Sequence, residues 1–187
     1  MARLSVGDRF PDLQIHTAYD TDLQTAEVIK KADKTVFWAL RYIGCTTCRY
    51  DIHVIKERYQ EFQELGAQVL VVLQSQPETV RADLAGDEVP YEIIADPEQK
   101  FYQRFSIEPA PSKEARQPKE PADVEKWQAK LEKVKASGFV HGKYEGNEQQ
   151  LPALFIVGPD AVVQYAHYAK NSIDMPTVDE LIKLLGK

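Results

Sequence analysis

An α/β fold is predicted: a central mixed sheet flanked by helices, with a helical insertion at residues 106–150 ahead of a C-terminal β-hairpin, all within one domain over residues 1–187. Three observations lead there. Residues 67–75, AQVLVVLQS, form a continuous apolar, β-branched run, the pattern of a strand buried on both faces in a parallel sheet. Ile52, Ile55, Tyr59 and Phe62 are spaced 3, 4 and 3 apart, which puts them on one helix face just after an apolar, β-prone segment. From Ala153, ALFIVGPDAVVQYAHYA reads as strand, Gly-Pro-Asp turn, strand.

The elements follow in order. Residues 4–12 set turn formers, Gly7, Asp8 and Pro11, among isolated apolar residues. Leu13 to Thr17 is a short strand, and Asp22 is expected to cap a short helix over Leu23, Ala26, Val28 and Ile29. Val36 to Tyr42 is the next strand. It runs through Ile43-Gly44 into Cys45-Thr46-Thr47-Cys48 and then into the helix of Ile52 to Phe62, which Gly66 stops. After the 67–75 strand, Pro77 opens a short helix over 76–86 with Val80 and Leu84 at i and i+4. Tyr91 to Ala95 is a third strand. Asp96 then caps, and Pro97 starts, a helix that carries Phe101 and Phe105 on one side.

Residues 108–122 are rich in Pro and charge and read as an exposed loop. Val124, Trp127, Leu131 and Val134 repeat at 3, 4 and 3, an amphipathic helix ending at Ser137-Gly138. FVHGKYEGNEQQ, residues 139–150, carries glycine and asparagine turn signals and matches no regular element. In the second hairpin arm Val163, Tyr165 and His167 alternate with Gln164, Ala166 and Tyr168. Thr177-x-x-Glu180 is a capping-box signature, and Val178, Leu181, Ile182 and Leu185 point the last helix inward.

Composition narrows the function. A chain of 187 residues that is 43% hydrophobic can bury one substantial core. A net charge of −6 argues against a nucleic-acid partner, since no Lys/Arg excess releases counterions. No secretory leader and no apolar stretch near the roughly 18 residues of a membrane span is visible, so a soluble, cytoplasmic protein without a membrane partner is expected. Structural disulfides are rare in that compartment, so a close cysteine pair reads as redox-active or metal-binding. Zinc needs four ligands. Cys45, Cys48 and His53 supply three, with no second CxxC or paired His, so no metal is expected. No phosphate-binding glycine loop is present, and no cofactor is expected. His16, His53, His141 and His167 each stand alone and read as surface or half-buried residues, His167 as sheet packing.

The two cysteines sit where a strand meets a helix N-terminus. Unpaired amide N–H groups and the positive end of the helix dipole favour an anion there. A thiolate is such an anion, and its pKa falls from about 8.5 towards neutrality in such motifs. Arg41 and Arg49 flank the pair; each either lowers a thiol pKa or is a solvated surface arginine. Tyr42 either hydrogen-bonds a thiolate or packs.

The order β, α, β, α, β-hairpin, α resembles the thioredoxin fold over nearly the whole chain apart from 106–150. LSVGDRFPDL, GAQVLVVLQSQPETV and IIADPEQKFYQRF resemble the peroxiredoxin-like branch, the alkyl hydroperoxide reductase and thiol-specific antioxidant proteins. That resemblance implies a cis-proline opposite the CxxC; Pro152 matches the position, and its backbone would border the dithiol and dock substrate. Peroxiredoxins place Pro and Thr seven and three residues before the attacking cysteine, where Trp38 and Tyr42 precede Cys45, and Arg41 and Cys45 precede Cys48. They also place an Arg beside the ALFIV strand, and residues 145–160 contain none.

Cys45 is accordingly expected to be the attacking thiolate and the more exposed of the pair, and Cys48 the resolving thiol one turn on. Pro152, Tyr42 and Arg49 are the candidate substrate-binding residues. Three functions compete. The first is a thiol–disulfide oxidoreductase acting on a protein or small-molecule disulfide. The second is an antioxidant thiol peroxidase acting on peroxide, and both draw on an unidentified thiol electron donor. The third is a non-enzymatic redox-sensing or binding module. The insertion either shapes substrate access, forms a subunit contact as in a homodimer, or is decoration packed by Trp127 and Leu131.

Overall fold

In the computed structural model, which describes residues 3–186, the two apolar segments Lys34–Ala39 and Ala67–Leu73 lie side by side as parallel strands. The element order is β1 (Gln14–His16), β2 (Asp22–Gln24), α1 (Thr25–Ile29), β3 (Lys34–Ala39), α2 (Thr46–Glu57), α3 (Tyr59–Glu64), β4 (Ala67–Leu73), α4 (Pro77–Leu84), β5 (Glu92–Ala95), α5 (Lys100–Arg104), α6 (Lys113–Arg116), α7 (Pro121–Ala136), β6 (Ala153–Val157), β7 (Val163–Tyr168) and α8 (Val178–Leu185). A mixed sheet in the order β5-β4-β3-β6-β7 results, with β4 parallel to both its neighbours and β6 and β7 antiparallel. No helix among the described residues is long and apolar enough to cross a membrane.

Strand alternation divides the core in two. Val36, Trp38, Val69, Val71, Leu154 and Ile156 face α2, α3 and α8 through Ile52, Ile55, Phe62, Leu181 and Leu185. Phe37, Leu70, Val72, Phe155 and Val157 face Val28, Ile29, Phe101 and Phe105 on the other side. Each such side chain, fully buried, contributes roughly 1.5–3 kcal/mol. Two-sided burial explains why β4 shows no polar alternation. The Tyr102 hydroxyl donates to Leu40 O at 2.6 Å and to Val72 O at 2.9 Å, tying off the end of the sheet from which the cysteine loop leaves.

Several predicted elements differ in detail. Asp22 caps no helix: it pairs across a small ladder with His16, and α1 begins three residues later. The predicted helix of Ile52 to Phe62 is two helices broken at Arg58, whose φ of −114° leaves the helical range. All four apolar side chains are buried regardless. Asp96 does cap, accepting from Lys100 N and Phe101 N at 2.8 Å each, but the helix begins at Lys100 because residues 97–99 form the turn that brings those amides round. The loop at 108–122 contains the short helix α6 and the first residues of α7. In β7 a bulge at Gln164 flips the alternation. Val163 therefore shares a face with Ala166 and Tyr168, while Tyr165 packs on the opposite side.

Helix α7 lies where its period predicts, but Leu131 is 39% exposed and Val134 is its buried anchor. Lys130 Nζ sits 2.7 Å from Asp51 Oδ2 and ties this helix to α2. The α8 capping box forms as expected, with Glu180 N donating to Thr177 Oγ1 and Thr177 N to Glu180 Oε2.

Candidate functional site

Strand β3 ends at Ala39, and residues 40–44 lead to Cys45, the N-cap of α2. Two hydrogen bonds fix this loop to the end of β4: Ile43 N donates to Ser75 Oγ at 2.9 Å and Gln74 N to Arg41 O at 2.7 Å. Cys45 is extended, with φ −75° and ψ 116°, so its side chain turns back over the first turn and accepts from Cys48 N at 3.4 Å. Arg41 Nη2 lies 2.9 Å from Cys45 Sγ and Thr47 Oγ1 lies 3.2 Å away. Both cysteines are free thiols here.

These contacts separate the two thiols electrostatically. The hydrogen bond from Cys48 does most to hold the Cys45 pKa well below the usual thiol range; burial opposes it, and Arg41, Thr47 and the Cys48 amide add to the lowering. Burial pushes the Cys48 thiol well above its ordinary value, reinforced by the neighbouring Cys45. The surroundings therefore favour the anion on Cys45 and the protonated thiol on Cys48.

Neither cysteine is open to solvent: Cys45 is 1% exposed and Cys48 5%. The cover is the segment for which no element was predicted. Residues 139–147 cross the CxxC loop as a strap, with Gly142 N donating to Gly44 O at 2.8 Å. His141 Nε2 lies 3.2 Å from the Tyr42 hydroxyl, and the Tyr144 ring packs 4.2 Å from that of His141. Glu145 Oε1 accepts from Thr79 Oγ1 at 3.0 Å and from Gln76 N at 3.2 Å. A Cβ added at Gly44 would lie 2.4 Å from Lys143 O, so only glycine lets the two backbones approach this closely. Gly44→Ala is therefore expected to displace the strap, destabilise the fold by about 1–3 kcal/mol, and speed proteolysis within 139–147. Limited proteolysis beside urea denaturation checks both.

The other predicted site residues divide. Tyr42 is buried, its hydroxyl engages His141 and not a thiolate, and burial raises its pKa. It is a packing residue under the strap. Arg49 is neither solvated nor beside a sulfur: it is 7% exposed, with Asp83 at 2.7 Å and Asp87 at 2.8 Å, because its position one residue past Cys48 points it towards α4. Its charge is spent there, and removing either carboxylate would leave a buried cation short of a partner. Arg41, in contrast, reaches the thiolate.

Pro152 borders a cavity of about 260 Å³ together with Cys48, Thr47, Arg41 and Trp38. No peptide bond among the described residues is cis, so the implied cis-proline is trans, and the chain runs straight from Leu151 into β6. Helices α6 and α7 add Arg116, Lys126 and Lys130 to the cavity wall, and the segment before α8 adds Met175 and Pro176. Residues 106–150 therefore build much of this wall. His53 packs edge-on against Phe139 at 5.6 Å, and no group of three or more His, Cys, Asp or Glu side chains converges among the described residues.

Thr47 and the strap escaped the sequence reading. Thr47 lies inside the CxxC, where no pattern singles it out. Residues 139–150 carry no periodicity, and their two close-packed glycine contacts, Gly142 against Gly44 and Gly146 against Gln74, are visible only in space.

Comparison with known proteins fits this architecture. Peroxidoxin BcpB from Mycobacterium tuberculosis superposes with a TM-score of 0.69 at 12% identity, over 98% of this chain and 97% of that one. A peroxiredoxin-like protein from Aquifex aeolicus gives 0.66 at 14% identity, over 98% and 86%. The fold is thus the thioredoxin-like fold of the peroxiredoxins. Peroxiredoxin-like 2C of Takifugu rubripes is 24% identical over 193 residues, spanning 100% of this chain and 85% of that protein. The sequence profile of the AhpC/TSA family matches residues 6–166, a span that takes in β1 to β6, most of β7 and both cysteines, and the chain belongs to that family.

Proposed function

We propose that the protein is a thiol–disulfide oxidoreductase that cycles Cys45 and Cys48 between dithiol and disulfide. The observation that carries this is the three-sided hold on Cys45 Sγ by Arg41, Thr47 and the Cys48 amide, beside a neutral Cys48 thiol. Cys45 S⁻ attacks a substrate disulfide, forming a mixed disulfide and releasing one substrate thiolate. Cys48 loses its proton and attacks Cys45 Sγ, forming the Cys45–Cys48 bond and releasing the second thiolate. Arg41 and Thr47, which touch the thiolate, and Pro152, which borders Cys48, line one cavity and form the docking surface for the substrate.

A second reading has a specific observation behind it. A peroxidase needs a cationic donor and a hydroxyl at the attacking sulfur, and Arg41 and Thr47 supply both to Cys45 from positions other than those peroxiredoxins use. In that chemistry Cys45 S⁻ takes the distal oxygen of a hydroperoxide, becoming sulfenic acid and releasing an alcohol or water once the leaving oxygen is protonated. Cys48 then condenses with the sulfenic acid and expels water.

Stopped-flow mixing of the reduced protein with hydrogen peroxide, beside turnover on a model protein disulfide, separates the two. Rapid disulfide reduction with slow peroxide consumption is the expected result. Fast second-order peroxide consumption assigns the peroxidase, and inertness towards both leaves only a binding or sensing role.

A further inference from the structure

The cavity at the dithiol is cationic although the chain carries a net charge of −6. Arg41, Arg58, Arg116, Lys126, Lys130 and Lys133 line it, against Asp51 and Asp179. The two carboxylates are taken: Asp51 by Lys130 and Asp179 by Arg58. Arg58, Lys126 and Lys130 each pair with a carboxylate, whereas Arg41 and Arg116 are held by other partners. Arg116 Nε donates to Gln149 Oε1 at 3.2 Å and Nη1 to Ser172 Oγ at 3.0 Å, both neutral. Arg41 Nη1 donates to Glu148 O at 2.8 Å, and Nη2 donates to Cys45 Sγ at 2.9 Å. Neither guanidinium has a carboxylate within 4.0 Å among the described residues. Their anchors, Glu148 and Gln149, are consecutive, and both guanidiniums line the cavity that Cys48 borders. Burial and the nearby Arg41 charge both push the Arg116 pKa down, the cost of holding two like charges together.

That arrangement is compensated only while Cys45 is a thiolate. Once Cys45 and Cys48 form a disulfide the anion is gone, and two guanidiniums face the cavity with neutral partners. We infer that Arg41 and Arg116 form a carboxylate subsite in the oxidised protein, and that the thiol which reduces it is a small acidic one carrying a carboxylate close to its sulfur. The inference rests on the dithiol cycle above and supplies the chemical class of its electron donor. The reaction balances with two donor thiolates. The first attacks the Cys45–Cys48 bond, forming a mixed disulfide and releasing one protein thiolate. The second attacks that mixed disulfide, releasing the donor disulfide and the other protein thiolate. The carboxylate stays on the two guanidiniums throughout the first attack, where a fork geometry favours Arg over Lys.

The test measures reduction of the oxidised full-length protein by 3-mercaptopropionate, which is anionic, and by 2-mercaptoethanol, which is neutral, corrected for thiolate fraction. The ratio of the two second-order rate constants is expected to exceed one and to fall as salt rises. Arg116→Gln lowers that ratio about tenfold, and Arg116→Lys recovers part of it. Succinate, which has no sulfur, competes with 3-mercaptopropionate in the native protein and does so less well in Arg116→Gln. A native ratio of one or below, independent of salt, overturns the subsite without recourse to any variant. A ratio unchanged in Arg116→Gln, or equally low in the Lys variant, overturns it as well. Failure of both thiols to reduce the protein instead removes the dithiol cycle itself.

Discussion

Cys45→Ser should abolish turnover on disulfides and peroxides alike, by roughly 10³-fold or more, because a hydroxyl at that position is neither anionic at neutral pH nor comparably nucleophilic. Cys48→Ser should behave differently. Its Cys45 loses the thiol hydrogen bond but keeps Arg41, Thr47 and the residue-48 amide, so the first attack proceeds and the mixed disulfide accumulates. Intact-mass spectrometry after mixing with a small disulfide reads this directly: one stable adduct on Cys48→Ser and none on Cys45→Ser. The geometry makes the experiment a real contest. The contacts favour the anion on Cys45, whereas Cys48 is the cysteine that lines the cavity. If the adduct forms on Cys45→Ser and not on Cys48→Ser, access has outweighed ionisation and the two roles are exchanged.

The parts of this protein that sequence makes legible are those with a period. Strand β4 declares itself because both its faces are buried, and α7 and α8 because one stripe of each is apolar. The dithiol declares itself because two cysteines at a strand-to-helix junction have few other uses. What stays hidden is set by contacts between distant residues. Arg41 and Arg49 look equivalent on either side of the CxxC, yet one reaches the sulfur and the other is claimed by Asp83 and Asp87, more than thirty positions away on and beyond α4. The strap has no regular hydrogen-bond ladder to leave a pattern, and it is held by single bonds from Gly142, His141, Glu145 and Asn147. Its effect on the site is large nonetheless, since it crosses the loop that carries Cys45, a residue left 1% exposed. The missing peroxiredoxin Thr and Arg are a related case. Position in the chain declares them absent, while Thr47 and Arg41 place the same two functional groups on Cys45 from other positions.

Arg41→Met should reveal how much of the thiolate's stability comes from that one guanidinium. Methionine keeps an unbranched apolar stem and removes the charge and both donors. At neutral pH the alkylation of Cys45 by iodoacetamide should slow by about tenfold, the size of one charge-assisted hydrogen bond lost at a buried anion. Its pH midpoint should rise, since removing a positive charge makes the anion harder to form. Folding stability carries the same signature. Cys45 has a folded pKa below its unfolded one, so the native state binds fewer protons than the unfolded state between the two values. Its contribution is complete above the unfolded thiol pKa of about 8.5 and is lost as pH falls through the folded pKa. Cys48 is shifted the other way. Its contribution is complete below about 8.5 and is lost as pH rises above that value. The reduced protein should therefore gain stability towards about pH 8.5 from Cys45 and lose it beyond from Cys48. In Arg41→Met the rising limb should flatten while the falling limb survives, because burial, not Arg41, sets the Cys48 shift. Urea midpoints for both proteins under reductant across pH 6 to 10 measure this. A rising limb unchanged in Arg41→Met would mean that the helix terminus and the Cys48 thiol hold the anion by themselves, and that Arg41 is free to serve substrate alone.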